Sequence, residues 1–518
     1  MSDEATEEFD LVIVGTGSGN SIPGPEFGHW KIAIVEKGLF GGTCLNVGCI
    51  PSKMFVYAAD VAETIRAAEI YGLQAELTGV NWAAIRDRVF GRIDPIVEGG
   101  ESYRLGAECP NITVFKGEGH LIGERTLEVT GEDGGVSRIS GRHVVLGAGA
   151  RPFVPPYPGL MDVDFHTSDT VMRLEVLPER MLIFGGGYIA AELGHVFSAF
   201  GCEVTMVNRG DRLLRREDED IAQRFTELMS RRFDVRCGAE VIKVAQEDEI
   251  LRVEVRVDDN VEVIETDLIL VAAGRVPNGD LIGAESCGIA CEDGRVLVDE
   301  YFRTTVPGVW AFGDLSNTHQ LKHLANAEVR ALRHNLLVAD GEVDTPMHSV
   351  DDTFVPHAVF GHPQVASVGL TENDAREMGV PFVVALKEYG ATAYGWAMED
   401  SESFCKLIAH AESRQLLGAH IIGPQASTLI QQLVQGMEFG QTVDELASGQ
   451  FYTHPALTEL VENACWNFDV RATDHSELRL ISQSTWSKQS PADIAGKLQG
   501  RSVEIVDGTG DRIVQGVG

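Results

Sequence analysis

The apolar positions of this chain fall into two rhythms. FDLVIV, at residues 9–14, is a nearly continuous apolar run, which marks a strand buried on both faces of a parallel sheet. A glycine turn, GTGSGN at Gly15–Asn20, follows it, and a second apolar run, IAIVEKG, ends at Glu36. The same succession returns at RMLIFGGGYIAAE (Arg180–Glu192) and CEVTMVNRG, which ends near Asn208 and Arg209. Between the two copies the pattern predicts an amphipathic helix over about 51–70, antiparallel strands over about 112–145, and a glycine turn in VVLGAGARP. ILVAAGRVPN (269–278) and VWAFGDLSN (309–317) read as further strands ending in glycine turns. From about residue 350 the pattern changes to short strands and helices, with a long amphipathic run near 425–447. The expected fold is α/β: two Rossmann-like dinucleotide-binding domains and a C-terminal α+β domain. The boundaries fall at 1–149 with 275–349, 150–274, and 350–470, leaving a C-terminal extension, 471–518, of unknown role. In that extension SPADIAGKL reads as a short helix and RSVEIVD as a strand.

The two glycine turns have the spacing of a dinucleotide fingerprint, in which glycines admit a pyrophosphate close to the backbone. In the first, Gly15, Gly17, Ser18 and Gly19 form the turn, and Glu36 stands where a carboxylate accepts hydrogen bonds from a ribose diol. In the second, Gly185, Gly187 and Ala190 form the turn, and the strand end carries Asn208, Arg209, Arg212, Arg215 and Arg216. A carboxylate suits a free 2′-hydroxyl, and guanidinium forks suit a 2′-phosphate. The first site is therefore read as FAD and the second as NADPH, with Arg209 and Arg215 on the phosphate; the acidic run after Arg216 leaves that residue as part of a solvated turn. The first copy departs from the pattern at two points. Asn20 replaces the third glycine, and Pro23-Gly24-Pro25 falls where the helix belongs, so that helix is expected to be short or broken. Asp314, after Gly313, is placed to hold a ribityl hydroxyl.

Composition narrows the partners. The 518 residues carry 42 basic and 78 acidic side chains, a net charge of −36, which argues against nucleic acid and against an anionic membrane surface. No apolar run approaches the ~18 residues needed to span a bilayer. The N-terminus, MSDEATEEFD, is acidic and has no basic or apolar leader region, so a cytoplasmic location is expected. Nine cysteines, an odd and sparse set, do not make a disulfide framework.

Two of them stand close together in GGTCLNVGCIPSK, as Cys44 and Cys49. The doublet reads as a redox pair, as half of a zinc site, or as two buried thiols. A zinc site needs four ligands, and no second pair with matching spacing is present. Gly48 frees the backbone between the cysteines, and Pro51 suits the first position of a helix, which would put Cys49 just before a helix N-terminus, where a thiolate is stabilised. A dithiol needs a proton carrier. FYTHPALTELVE supplies His454, before a proline that marks a helix start, and Glu459 five residues on. His323, His357 and His362 are rival candidates.

GGTCLNVGCIPSK, the paired GTGSGN and GGGYIAAE turns, VWAFGD and HPALTE together resemble the FAD-dependent pyridine nucleotide–disulfide oxidoreductases over residues 9 to about 468. GTGSGNSI, RVFGRIDPI, HTSDTVMR, AYGWAMED and LGAHIIG are most similar to the branch of that family that reduces mycothione, the disulfide of mycothiol. The resemblance implies that Cys44 attacks the substrate disulfide, that Cys49 lies against the flavin and closes the disulfide, and that His454, held by Glu459, carries protons across an obligate homodimer. It implies that Lys53 and Glu192 pair beside the flavin and that Tyr188 covers the nicotinamide pocket. Further candidate cofactor contacts are Lys37, Gly42, Thr43, Gly119, Ile189, Gly274, Leu321 and Lys322. Dihydrolipoamide dehydrogenase, which shares CLNVGCIPSK, and glutathione reductase are the alternatives. Relay through C-terminal cysteines is set aside, because Cys465 is the last cysteine.

Overall fold

The computed structural model describes residues 6–472, together with the paired strands Ile505–Val506 and Arg512–Ile513. The first of these lies within the RSVEIVD segment; the helix expected over SPADIAGKL lies outside the described residues. The chain forms two compact units, one of residues 1–215 with 223–352 and the other of 216–222 with 353–518.

In the first unit, β1 (Glu7–Val14) lies between two parallel partners, β2 (Ile32–Glu36) and β5 (Val136–Leu146), with Val12 opposite Ala33 on one side and Val144 on the other. Such a strand must be apolar on both faces, as its sequence is. Leu11, Ile13, Ile32 and Ile34 bury one face with Trp30 and Phe312, while Val12, Val14, Ala33 and Val35 bury the other. β3 (Ile112–Gly123) pairs in parallel with β2 through Lys116, then turns into an antiparallel meander with β4 (Thr126–Gly131) and β5. These are the strands expected over 112–145.

The helix that should follow the first glycine turn is broken into two 3-10 turns, Ser18–Ser21 and Pro25–Phe27, as the prolines require. The second copy is regular. Arg180–Phe184 leads into the helix Tyr188–Ala199 and then Glu203–Asn208, the two strands being neighbours in a five-stranded parallel sheet. The amphipathic stretch read over 51–70 is the helix α2 (Cys49–Arg66) and a 3-10 turn, Ala68–Tyr71.

The second unit is a five-stranded antiparallel sheet whose central strands are Leu416–Ile422 and Phe404–His410. Helices Ala426–Glu438, Val443–Ser448 and Thr458–Ala472 share its apolar core. The run expected near 425–447 is thus two helices rather than one. Gly440, at φ +64°, ends the first, and Thr442 caps the second through a reciprocal box with Glu445. The fold class is the expected α/β with a C-terminal α+β portion. Among the described residues, no helix is long and apolar enough to cross a membrane.

Candidate active site

The cysteine doublet lies against the first glycine turn, because two glycines let the backbones touch. Gly42 has φ +64°, and a Cβ there would stand 2.7 Å from Gly17 Cα. Gly42 opens the short helix α1 (Gly42–Asn46), which carries Thr43 and Cys44. Asn46, at its end, donates to the carbonyls of Phe40 at 2.9 Å and Gly42 at 3.0 Å, so the loop is pinned from within. Gly41 N–H donates to Thr16 Oγ1, which ties the same loop to the nucleotide turn.

Cys49 is the first residue of α2, so Pro51 sits two residues inside the helix rather than at its start. The helix end itself faces the thiol. Both cysteines are free thiols, Cys44 half-buried and Cys49 exposed. They share a hydrogen bond, which pushes the Cys44 thiol well above its usual range and holds Cys49 down to about 7, with Lys53 adding to the second effect. The pair thus places its proton on Cys44 and its negative charge on Cys49.

Lys53, one turn beyond Cys49, reaches Glu192 on the helix Tyr188–Ala199 at 2.5 Å. The two helices are joined twice more. Asp60 takes His195 Nε2 at 2.9 Å, and Arg66 donates to the carbonyl of Ala199 at 2.7 Å. Tyr188 opens the second helix and is 47% exposed; Gly187 caps it and Ile189 follows in its first turn.

The first nucleotide turn has the shape its glycines require. Gly15, at φ +96°, lies so close to Gly147 that a Cβ would meet its carbonyl oxygen at 2.4 Å. Glu36 is oriented by the turn: one carboxylate oxygen accepts from Thr16 N at 2.8 Å and Thr16 Oγ1 at 2.6 Å, and the other from Gly38 N. Gly19 sits over Ile13 and Phe312, and Gly119 over Val35. Lys37 is turned to Glu118 at 3.3 Å. Lys322, which follows Leu321 at the head of the helix Lys322–Ala339, donates to Ser18 Oγ at 2.8 Å. Burial raises the Asp314 carboxyl above the ordinary range. These features fit a bound FAD: a close backbone cradle, an oriented acid at the ribose position, and an ammonium at the turn.

At the second strand end, Asn208 Nδ2 bridges the carbonyls of Gly210 at 3.1 Å and Arg212 at 2.9 Å. This folds residues 209–215 into a fixed loop. Arg209 and Arg215 are exposed on it and form no ion pair among the described residues, whereas Arg212 pairs with Asp211. Gly185 and Gly274, both at positive φ, lie in the turns beside it.

In the second unit, His454 Nδ1 lies 2.7 Å from Glu459 Oε1, and the histidine side chain is 70% exposed. The helix begins at Thr458, later than the His-Pro sequence suggested, and the intervening turn brings Glu459 back to the imidazole. The rival His357 is engaged by Glu217 at 2.7 Å.

Sequence reasoning missed Thr16, Asp60, His195, Arg275 and Glu328. Glu328 accepts from Gly313 N at 2.7 Å and from Asn317, next to Asp314. Its signal was present, since it is a charged residue within the apolar stripe Leu324, Ala325, Val329, Leu332 of its helix. Arg275, donating to the carbonyl of Ala150, sits in the ILVAAGRVPN turn.

The profile of the pyridine nucleotide-disulphide oxidoreductase family matches residues 5–331, and that of its dimerisation domain matches residues 355–465. Mycothione reductase of Mycobacterium tuberculosis is 50% identical over 464 residues, which covers 88% of this chain and 99% of that protein. Dihydrolipoyl dehydrogenase of Chlamydia pneumoniae is 30% identical over 459 residues, 88% of this chain and 96% of that one. Among solved structures, the Cu(II) complex of the HOCl-induced flavoprotein disulfide reductase RclA from Escherichia coli aligns with a TM-score of 0.77. It is 27% identical and covers 89% of this chain and 99% of that one.

Proposed function

Since this chain belongs to the pyridine nucleotide-disulphide oxidoreductases, flavin-dependent enzymes that use FAD and NAD(P)H, we propose that it reduces mycothione to mycothiol with NADPH. The observation that carries the chemistry is the hydrogen-bonded Cys44–Cys49 couple at the head of α2. The substrate reading rests on the half-identical mycothione reductase. The NADPH reading rests on the exposed Arg209 and Arg215.

In this reading residues 1–149 with 275–349 hold FAD, residues 150–274 hold NADPH, and residues 350–470 form the homodimer. Gly15, Gly17 and Gly42 admit the FAD pyrophosphate, Glu36 takes the ribose diol, and Asp314 takes a ribityl hydroxyl. Bound there, FAD supplies the route by which two electrons from NADPH open the Cys44–Cys49 disulfide to a dithiol. The hydrogen bond from Cys44 favours the Cys49 thiolate, and Lys53, fixed by Glu192, adds to that, while Tyr188 screens the nicotinamide pocket.

His454 takes the proton that Cys44 retains, and Cys44 then attacks one sulfur of mycothione. A mixed disulfide forms on Cys44, and the departing thiolate takes the proton back from His454. Cys49 thiolate attacks the Cys44 sulfur, re-forms the disulfide and releases the second mycothiol as a thiolate, which takes its proton from solvent. The base is required because the shared hydrogen bond keeps Cys44 protonated. His454 acts across the dimer, with Glu459 orienting its imidazole.

The test is NADPH oxidation by FAD-loaded protein with mycothione, glutathione disulfide and lipoamide in parallel, and with NADH as the control. Turnover confined to mycothione and NADPH is expected. Turnover with lipoamide and NADH, or with glutathione disulfide, would overturn the substrate assignment and leave the dithiol chemistry in place.

A further inference from the structure

The first glycine turn departs from the dinucleotide fingerprint twice. Asn20 stands where a third glycine packs helix against strand, and Pro23-Gly24-Pro25 stops the helix after the four-residue 3-10 turn Ser18–Ser21. A regular helix serves a pyrophosphate in two ways. Its hydrogen bonds fix the turn, and its N-terminus brings the positive end of the dipole to the phosphates. One short 3-10 turn does little of either.

Arg104 occupies the place so left. It lies in the last turn of the helix Trp82–Leu105 and is buried, 8% exposed. Its Nε donates to Asn20 Oδ1 at 2.8 Å, and its Nη2 donates to the Asn20 carbonyl. In a continued helix that carbonyl would accept from the amide four residues on. Nη1 donates to Cys109 Sγ at 3.7 Å. A glycine at position 20 would leave Nε without its acceptor, so Asn20 is the partner that Arg104 requires. An arginine is rarely buried without a counter-charge, because an uncompensated charge is costly to take out of water. Arg104 forms no ion pair among the described residues. Its guanidinium is thus held one residue beyond Gly19 with its charge unanswered. Earlier in the same turn, Lys322 Nζ donates to Ser18 Oγ at 2.8 Å, so cations hold both Ser18 and Asn20. All of these residues lie in one compact unit.

We propose that Arg104 is a positioning residue for FAD: it locks Asn20 and supplies, beside the first glycine turn, the positive charge that a regular helix end would bring to the pyrophosphate. The inference rests on the reading above that this turn admits the FAD pyrophosphate. The two departures from the fingerprint are then one arrangement, in which a side chain 84 residues along the chain takes over from a broken helix. Its signature is sensitivity to the charge at position 104 rather than to the shape there.

The test measures the FAD dissociation constant, from flavin fluorescence on dilution of full-length holoenzyme, for wild type, Arg104→Gln, Arg104→Lys and Asn20→Gly. Arg104→Gln keeps a hydrogen-bond donor and loses the charge, and the constant is expected to rise roughly ten- to a hundredfold. Arg104→Lys keeps the charge and should stay within about threefold of wild type. A packing role would not rank the two in this way, since both lose the guanidinium fork. Asn20→Gly restores the fingerprint glycine, which a regular turn accepts without loss; here it removes the acceptor of Nε and should raise the constant roughly threefold or more. That variant decides the matter where the Arg104 variants do not fold. Wild-type retention of FAD in Arg104→Gln or in Asn20→Gly, or equal weakening in Arg104→Gln and Arg104→Lys, overturns the proposal. Gly42→Ala, which crowds the same turn through Gly17, is the control on the underlying reading. Wild-type FAD affinity in Gly42→Ala overturns the pyrophosphate reading and the proposal together. Weakening in Gly42→Ala beside unchanged Arg104 variants removes Arg104 alone.

Discussion

Lys53 Nζ and Glu192 Oε2 lie 2.5 Å apart although 139 residues separate them in the chain, and the lysine stands one helical turn from Cys49. The lysine brings its positive charge to the thiol from within α2, and Glu192, on the helix Tyr188–Ala199, holds it there. Lys53→Met is expected to lower kcat roughly 10²-fold while FAD stays bound. Stopped-flow NADPH oxidation and the flavin-to-protein absorbance ratio check both halves. A wild-type rate would remove Lys53 from the reaction.

The cysteines have a pH signature. Cys49 is held down to about 7, so its thiolate fills as pH rises through that value and empties below it. Alkylation of the reduced enzyme by iodoacetamide, read by mass spectrometry, should show an inflection near that pH. Lys53→Met should move it upward, because the ammonium favours the anion. Cys44, held protonated by its partner, should not show that inflection.

For the acid/base pair, His454→Ala is expected to lower disulfide turnover by about 10²- to 10⁴-fold, with NADPH-dependent flavin reduction retained. Glu459→Gln keeps the shape but not the charge and should cost less, about tenfold. His454 holds the Glu459 carboxyl below its usual range. The coupling is therefore fully present above the ordinary glutamate pKa and is lost as pH falls through the lowered one. Steady-state rates of the two variants across acidic pH resolve this.

Arg209→Ala with Arg215→Ala should raise the KM for NADPH by roughly tenfold or more and leave that for NADH unchanged. Equal losses with both nucleotides would place the arginines outside the phosphate site.

Gly42→Ala puts a methyl 2.7 Å from Gly17 Cα at a backbone φ of +64°. The two turns must separate, so the variant is expected to lose about 1–3 kcal/mol of stability and to purify with less FAD. Thermal melting and flavin content measure the two effects.

Much of the fold follows from local pattern. LVIV in the first strand and MLIF in the second are apolar throughout because each strand lies between parallel neighbours, and Pro23 and Pro25 announce the broken helix. Element ends were less legible. Cys49, not Pro51, starts α2, and Thr458, not Pro455, starts the last long helix. A proline restricts the chain near a helix start but does not fix which residue comes first. The parts of the site that escaped are those whose partner is remote. Asp60 and His195 are unremarkable surface types until two helices meet. Glu328 is the exception, because an acid inside an apolar stripe is visible without its partner.

The three bridges between α2 and the helix Tyr188–Ala199 are chemically unlike: ammonium to carboxylate, imidazole to carboxylate, guanidinium to main-chain carbonyl. They act as the wards of a key. Sliding one helix past the other by a turn would set Lys53 toward His195 and Asp60 toward a carbonyl, mismatching every tooth together. Apolar ridges alone tolerate such slippage, since one leucine replaces another. One register alone closes all three, so α2, with Cys49 at its head, and the helix Tyr188–Ala199 are held to a single alignment.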